Sequence, residues 1–159
     1  MKIVGIGGSL IAPNGGFNIE FLQKFKDLIA QEVEQDSTFL FIIGGGITAR
    51  KYQQGLKDVN GCSDEDLDWM GIHATKLNAQ FVKMMFGEYA HDEIISSPKN
   101  KVDTDKPIIV ASGWKPGWST DNVAVLMAET YGADEIINLS NIEHVYDKDP
   151  SKYDDAEPI

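Results

Sequence analysis

Residues 39–50 read FLFIIGGGITAR, an apolar run that drives into three consecutive glycines and out again into a helical pattern. Five apolar residues in succession suit a strand covered on both faces, as in a parallel sheet with helices on either side. Gly44, Gly45 and Gly46 carry no side chain, so the backbone is free to take positive φ and an anion can come up to the peptide N–H groups. A helix starting near Ile47 or Thr48 adds unpaired N–H donors and the positive end of its dipole, and Arg50 places a fork of donors one turn in. The stretch therefore predicts a buried strand, an anion pocket and a helix start. A tight strand-to-helix turn with nothing bound is the plainer alternative, but it does not call for three glycines followed by an arginine.

On either side of this stretch, strands alternate with helices. Residues 2–10, KIVGIGGSL, form a short β-rich segment ending in a second glycine turn with Ser9. After a loop over residues 12–17, a helix is expected over about 18–34. Its Ile19, Leu22, Phe25, Ile29 and Val33 recur at spacings of three and four and so place one stripe on a core. The helix after the central strand runs to about Lys57 and breaks at Asn60-Gly61. A longer helix over about 63–86 opens with Ser63 as N-cap and Asp66 three residues on. Its Leu67, Met70, Ala74, Leu77, Phe81 and Met84 keep a heptad-like rhythm, which predicts a core on one side and a homo-oligomer contact, dimer or hexamer, on the other. Residues 87–106 read as loop, with a short strand possible at Ile94 and Ile95. A buried strand over 107–111 enters the unusual loop SGWKPGWST, residues 112–120, followed by a helix over about 121–131 and a strand over 134–139. The order predicts α/β with a mainly parallel sheet between helices, and on such sheets ligands sit at the strand C-termini, where all three special loops fall.

Composition narrows the function. A chain of 159 residues makes one domain able to bury roughly 70% of its unfolded surface. Cys62 is the only cysteine, which fits a reducing cytoplasm and excludes an intrachain disulfide or a multi-cysteine zinc site. No apolar run approaches the roughly 18 residues of a membrane span. The formal net charge of −11 repels nucleic acid and anionic membranes. Phosphate binding must then rely on local positive potential from glycine loops, helix N-termini, a few basic side chains and Mg²⁺. GxxxxGK[ST] is absent, which excludes a P-loop NTPase. Residues 44–49 satisfy G-x-G-x-x-A, but not in the first βαβ unit that a dinucleotide fold requires. His73, His91 and His144 have no metal-ligand spacing and read as structural or solvated, and no protein metal site is expected.

Five blocks in order, IGGS (6–9), GGGITAR (44–50), DWMGIHATKLNA (68–79), GWKPGWSTDNVA (113–124) and NLSNIEHVYDKDP (138–150), resemble the amino acid kinase superfamily, and within it the uridylate kinases of archaeal type. The resemblance spans the chain. It implies a carbamate kinase-like three-layer α/β/α fold, with residues 1–133 as the acceptor part and 134–159 as the start of an ATP-binding lobe that stays incomplete within this length. It implies transfer of a phosphoryl group from ATP with Mg²⁺ to UMP. Gly44, Gly45 and Arg50 would hold the acceptor phosphate and Asp68 its ribose, with Ser119 and Thr120 as hydroxyl donors from a loop closing over the acceptor. Gly7, Gly8 and Ser9 would receive the transferred group, Asp121 would organise catalytic lysines, and Asn141, Tyr146 and Asp149 would lie at the ATP nucleoside. Plainer readings stand beside these. Asp68 and Asp121 could be helix N-terminal carboxylates, Trp114 and Trp118 could stack on a base or simply pack, and Tyr146 could be core.

The chain departs from the pattern on the donor side. Gly5 stands where the superfamily usually has a first-strand lysine, and His144 replaces a glycine in the loop after the last strand. Two alternatives to a uridylate kinase stand beside it: a catalytically weak or inactive oligomeric nucleotide- or anion-binding module, which these departures motivate, and another member of the family acting on a carboxylate or carbamate.

Overall fold

The computed structural model describes residues 1–142, 144–148 and 153–159. Four strands, β1 (Lys2–Ile6), β2 (Phe39–Ile43), β3 (Ile108–Ala111) and β4 (Ile136–Leu139), form one parallel sheet in the order β3-β2-β1-β4. Between them run α1 (Gly8–Ile11), α2 (Ile19–Val33), α3 (Gly46–Asn60), α4 (Asp64–Phe86) and α5 (Thr120–Tyr131). No helix of the described residues is long and apolar enough to cross a membrane.

The central strand is buried at every residue because both of its faces are covered. Its alternating side chains divide between two cores. Phe39, Phe41 and Ile43 meet Leu22, Phe25 and Ile29 of α2 and Val82 and Phe86 of α4, while Leu40 and Ile42 meet Val123, Ala124 and Met127 of α5. The aromatic part of the first core is a ring cluster in which Phe41 lies 5.5 Å from both Phe25 and Phe86. The chain builds outward from β1 to β2 to β3 and then returns through α5 to place β4 on the other side of β1. The carboxyl ends of β1 and its neighbours thus open at a topological switch point, where open α/β sheets bind ligands.

Helix ends follow their side chains. Asn18 caps α2 by accepting from the Phe21 N–H, and Ser63 with Asp66 forms the capping box expected for α4. Gly132 closes α5 in the left-handed conformation. Three expectations need correction. Residues 8–11 form the short helix α1, followed by a 3-10 turn at Pro13–Gly15, where only a loop was expected. Ile95 makes a single parallel bridge to Ala111 instead of a strand. The heptad stripe of α4 is only in part its core face: Leu67 and Ala74 are buried, but Leu77 and Met84 are 60% and 70% exposed. The side buried on the sheet is Thr75, Asn78, Ala79, Val82 and Phe86, and two polar residues within it hid the pattern.

Candidate functional site

The two glycine turns dock on each other. A methyl built on Gly8 would lie 2.5 Å from the Gly44 carbonyl oxygen and 2.6 Å from the Gly46 nitrogen, so only glycine permits the contact. Gly46 takes φ +56° as it opens α3 and packs against the Gly8–Ser9 peptide. The glycines that the sequence assigns to an approaching anion are thus used in part by the protein itself. Gly44 is the clearest case: its N–H donates to the Ile6 carbonyl at 2.9 Å, and it lies beneath the cavity wall, not in it. Gly45 and Gly46 do line the cavity, and the first-turn N–H groups of α3 have no carbonyl one turn back to bond.

Helix α4 holds both loops from below. The buried Asn78 amide donates to the Gly44 and Gly45 carbonyls at 2.9 and 3.2 Å. The Thr75 hydroxyl donates to the Ile72 carbonyl and accepts from the Gly113 N–H at 2.8 Å. Gln53 of α3 donates to the Leu67 carbonyl at 2.8 Å and locks α3 against α4. Sequence reasoning missed all three. Their signal was polar character on a helix face that had to meet the sheet or another helix, since buried polar groups are kept only where they find partners.

Above this floor lies a cavity of about 410 Å³. It brings together Gly45, Arg50, Asp68, Ser119 and Thr120, which span 75 residues of sequence and come from three separate stretches. Arg50 is exposed and donates to the Ser9 hydroxyl at 3.3 Å, tying the first turn to the second. Asp68 accepts from the Gly117 N–H at 2.7 Å and so clasps the loop over residues 113–120. Ser119 caps α5, accepting from the Asn122 N–H at 3.2 Å. Lys115 and Trp118 also line the cavity, giving two cations, Arg50 and Lys115, against the one carboxylate of Asp68. In a chain of net charge −11 this is a local excess of positive charge.

The other expected residues fall outside that cavity. Gly7, Gly8 and Ser9 follow β1, with the Gly7 N–H donating to the Leu139 carbonyl at 2.9 Å. Asp121 is exposed in the first turn of α5. Asn141 is exposed, and Tyr146 forms an antiparallel bridge with Pro158 while its ring meets His144 edge-on. Asp149 and Glu143 lie outside the described residues. At Gly5, a Cβ would stand 3.1 Å from the Asn138 side-chain oxygen, so Asn138 occupies the direction a side chain there would take. Among the described residues no group of three or more His, Cys, Asp or Glu is placed to hold a metal ion. Among the described residues two carboxylates are held below their ordinary range, both away from the cavity: Glu32 by its hydrogen bond to Lys2, and Asp66 by the Ser63 hydroxyl and N–H.

The whole chain, residues 1–159, matches the amino acid kinase family. The uridylate kinase of Methanobrevibacter smithii is 32% identical over all of this chain and 70% of its own length. Among solved structures, uridylate kinase from Archaeoglobus fulgidus superposes with a TM-score of 0.76 at 30% identity, covering 99% of this chain and 72% of that one. Aspartate kinase from Synechocystis superposes at 0.68 with 14% identity, over 98% of this chain and 30% of that one, and shares the fold alone.

Proposed function

The chain belongs to the amino acid kinase family, and on that premise we propose that it is a uridylate kinase-like phosphotransferase that moves the γ-phosphoryl of ATP to UMP. The observation that carries this reading is the single cavity joining an anion-binding end, Gly45, Gly46 and Arg50, to the carboxylate of Asp68 and the loop over residues 113–120. Arg50 and the α3 N-terminus bind the acceptor phosphate, the first as a fork of donors and the second through free N–H groups. Asp68 accepts from the ribose hydroxyls. Gly44 serves by fixing the turn, its N–H being engaged with Ile6.

The phosphoryl group arrives over Gly7, Gly8 and Ser9. Because Gly8 touches the Gly44–Gly46 backbone and Arg50 bonds Ser9, the acceptor end and the receiving loop form one rigid unit, which favours in-line approach. No general base is needed, since the acceptor phosphate is already anionic. Mg²⁺ would come carried on the ATP phosphates and would neutralise charge on the transferring group, and the exposed Asp121 would organise the cationic side chains there. Residues 1–133 would form the acceptor part and 134–159 would begin the ATP-binding part, with Asn141 and Tyr146 toward the nucleoside. The outer face of α4, with Trp69, Leu77 and Met84 exposed, is the surface we assign to homo-oligomer contact; a monomeric mass by light scattering would remove that assignment.

Chromatographic detection of UDP from UMP and MgATP, with CMP as control acceptor, tests the reaction, and Arg50→Ala should raise the requirement for UMP more than that for ATP. Turnover with an unchanged UMP response in Arg50→Ala would refute the phosphate assignment. One observation favours a second reading, a nucleotide-binding module without turnover: Asn138 fills the space beside Gly5 where a transferring-phosphoryl lysine would project. Losing one preorganised electrostatic donor costs about 10²- to 10³-fold in rate. UMP binding by calorimetry with no UDP at any protein concentration would select that reading.

A further inference from the structure

The loop between β3 and α5 carries Trp114, Lys115, Pro116, Gly117 and Trp118 in succession. It closes as a turn, the Trp118 N–H donating to the Lys115 carbonyl at 3.3 Å with Gly117 at φ +81°. Proline second and a positive-φ glycine third are the requirements of a type II turn, so the letters alone bring residues 115 and 118 together. The consequence is an aromatic clamp on a cation. The Lys115 ammonium lies 4.3 Å from the centroid of the Trp114 ring and 5.6 Å from that of Trp118, and the two indoles stand 5.1 Å apart at 59°.

The two tryptophans differ in what lies beneath them. Trp114 is half-buried and packs on the core between the sheet and α5. Trp118 remains 38% exposed and forms part of the cavity wall, on the same loop that Asp68 grips through Gly117. An anion pocket needs no flat apolar wall. A planar heteroaromatic ring attached to the sugar that Asp68 would hold does need one, and it would cover the indole face that the fold leaves open.

We propose that Trp118 is the surface on which the acceptor's nucleobase stacks, and that Lys115 is a positioning residue that holds this indole against the Trp114 anchor. The proposal rests on reading the cavity as a nucleoside monophosphate pocket. Stacking is tolerant of base identity, because every base has a π-face. The clamp therefore makes a base necessary and leaves the choice among bases to other contacts.

The test compares UMP with ribose 5-phosphate, which keeps the phosphate and sugar and lacks the base, by calorimetric titration of the whole chain. Wild type should bind UMP about 5- to 150-fold more tightly than ribose 5-phosphate. Trp118→Ala should bring that ratio close to one with ribose 5-phosphate affinity unchanged, and Trp118→Phe should retain most of it. Lys115→Ala should lower the ratio in part and Lys115→Arg should restore it, since a guanidinium also stacks on indole. Far-ultraviolet circular dichroism checks that each variant is folded, and UMP should quench indole emission in wild type but not in Trp118→Phe. A ratio that survives Trp118→Ala, or UMP and ribose 5-phosphate binding equally to wild type, overturns the stacking assignment and leaves the phosphate pocket standing. Failure of both ligands to bind wild type overturns the nucleotide reading together with it.

Discussion

Gly8→Ala adds one methyl group at the contact between the two glycine turns. That methyl would meet the Gly44 carbonyl oxygen at 2.5 Å and the Gly45 carbonyl carbon and Gly46 nitrogen at 2.6 Å. All three neighbours are backbone, so no flexible side chain can swing aside, and the cost should sit at the upper end of overpacking, about 3 kcal/mol. Replacing glycine at a helical position returns about 0.5–1 kcal/mol of backbone entropy. The net loss is then about 2 kcal/mol, which for a domain of this size lowers the melting temperature by roughly 4–8 °C. Gly16→Ala is the matched control. Gly16 has φ −116° and nothing within 4 Å of a built Cβ, so the same chemical change should stabilise, by about 0.4–1 kcal/mol. Thermal unfolding followed by circular dichroism reads both, and calorimetry with UMP should find binding weakened in Gly8→Ala alone. Two variants that melt together would refute the docking of the turns and, with it, the rigid unit on which the proposed transfer depends.

Asn78→Leu should cost about 1–3 kcal/mol, because the buried Gly44 carbonyl loses the Asn78 donor while the Gly45 carbonyl keeps the Ala49 N–H, and thermal melts will show whether the loss falls below that range. Asp68→Ala frees the Gly117 N–H, so hydrogen exchange at that amide should accelerate while amides of β2 keep their protection; an unchanged Gly117 rate would mean that the clasp is not what orders the loop. The Asp66 carboxyl is held below its ordinary value of 3.8 by hydrogen bonds from Ser63, so its contribution to stability is present above that value and is lost as the pH falls through the lowered one. The acid limb of melting temperature against pH should accordingly be shallower in Asp66→Asn than in wild type, and identical limbs would show that the capping box does not titrate with folding.

Residues 39–50 made the central layer legible because an uninterrupted apolar run of strand length has few other places to go than the middle of a covered sheet. The capping box of α4 was legible for a similarly local reason, Ser63 and Asp66 being three residues apart. Thr75 and Asn78 were not legible, since a hydrophobic pattern marks polar residues as solvent-facing, and only the loops they reach, 33 or more residues away in sequence, make their burial favourable. The same limit separates Gly44 from Gly45. Both are glycines in one turn, yet the parallel neighbour β1 takes the N–H of the first and leaves the second on the cavity wall. Asp68 shows how an expected site residue can carry an unforeseen job, because its bond to Gly117 depends on how α4 passes beneath a loop 49 residues further on.

The acceptor side of the molecule is braced from three directions: α4 below, the Gly8 contact beside, and Asp68 across the mouth. The donor side has a different kind of support. Gly7 hangs on the carbonyl of Leu139 in β4, and among the described residues β4 itself pairs only with β1, with Ile136 and Ile137 still 38% and 37% exposed. A strand with one neighbour and uncovered apolar faces opens more easily than one with two. The loop over Gly7, Gly8 and Ser9 is therefore anchored firmly at its end, through Gly8 and the Arg50 bond to Ser9, and loosely at its start. Loosening β4, for example by Ile137→Ser, should on this geometry leave UMP affinity nearly unchanged while lowering the rate of phosphoryl transfer, because the acceptor's contacts do not pass through β4 and the receiving loop's first hydrogen bond does. Equal losses in UMP binding and turnover would show instead that β4 braces the acceptor pocket as well as the start of the receiving loop.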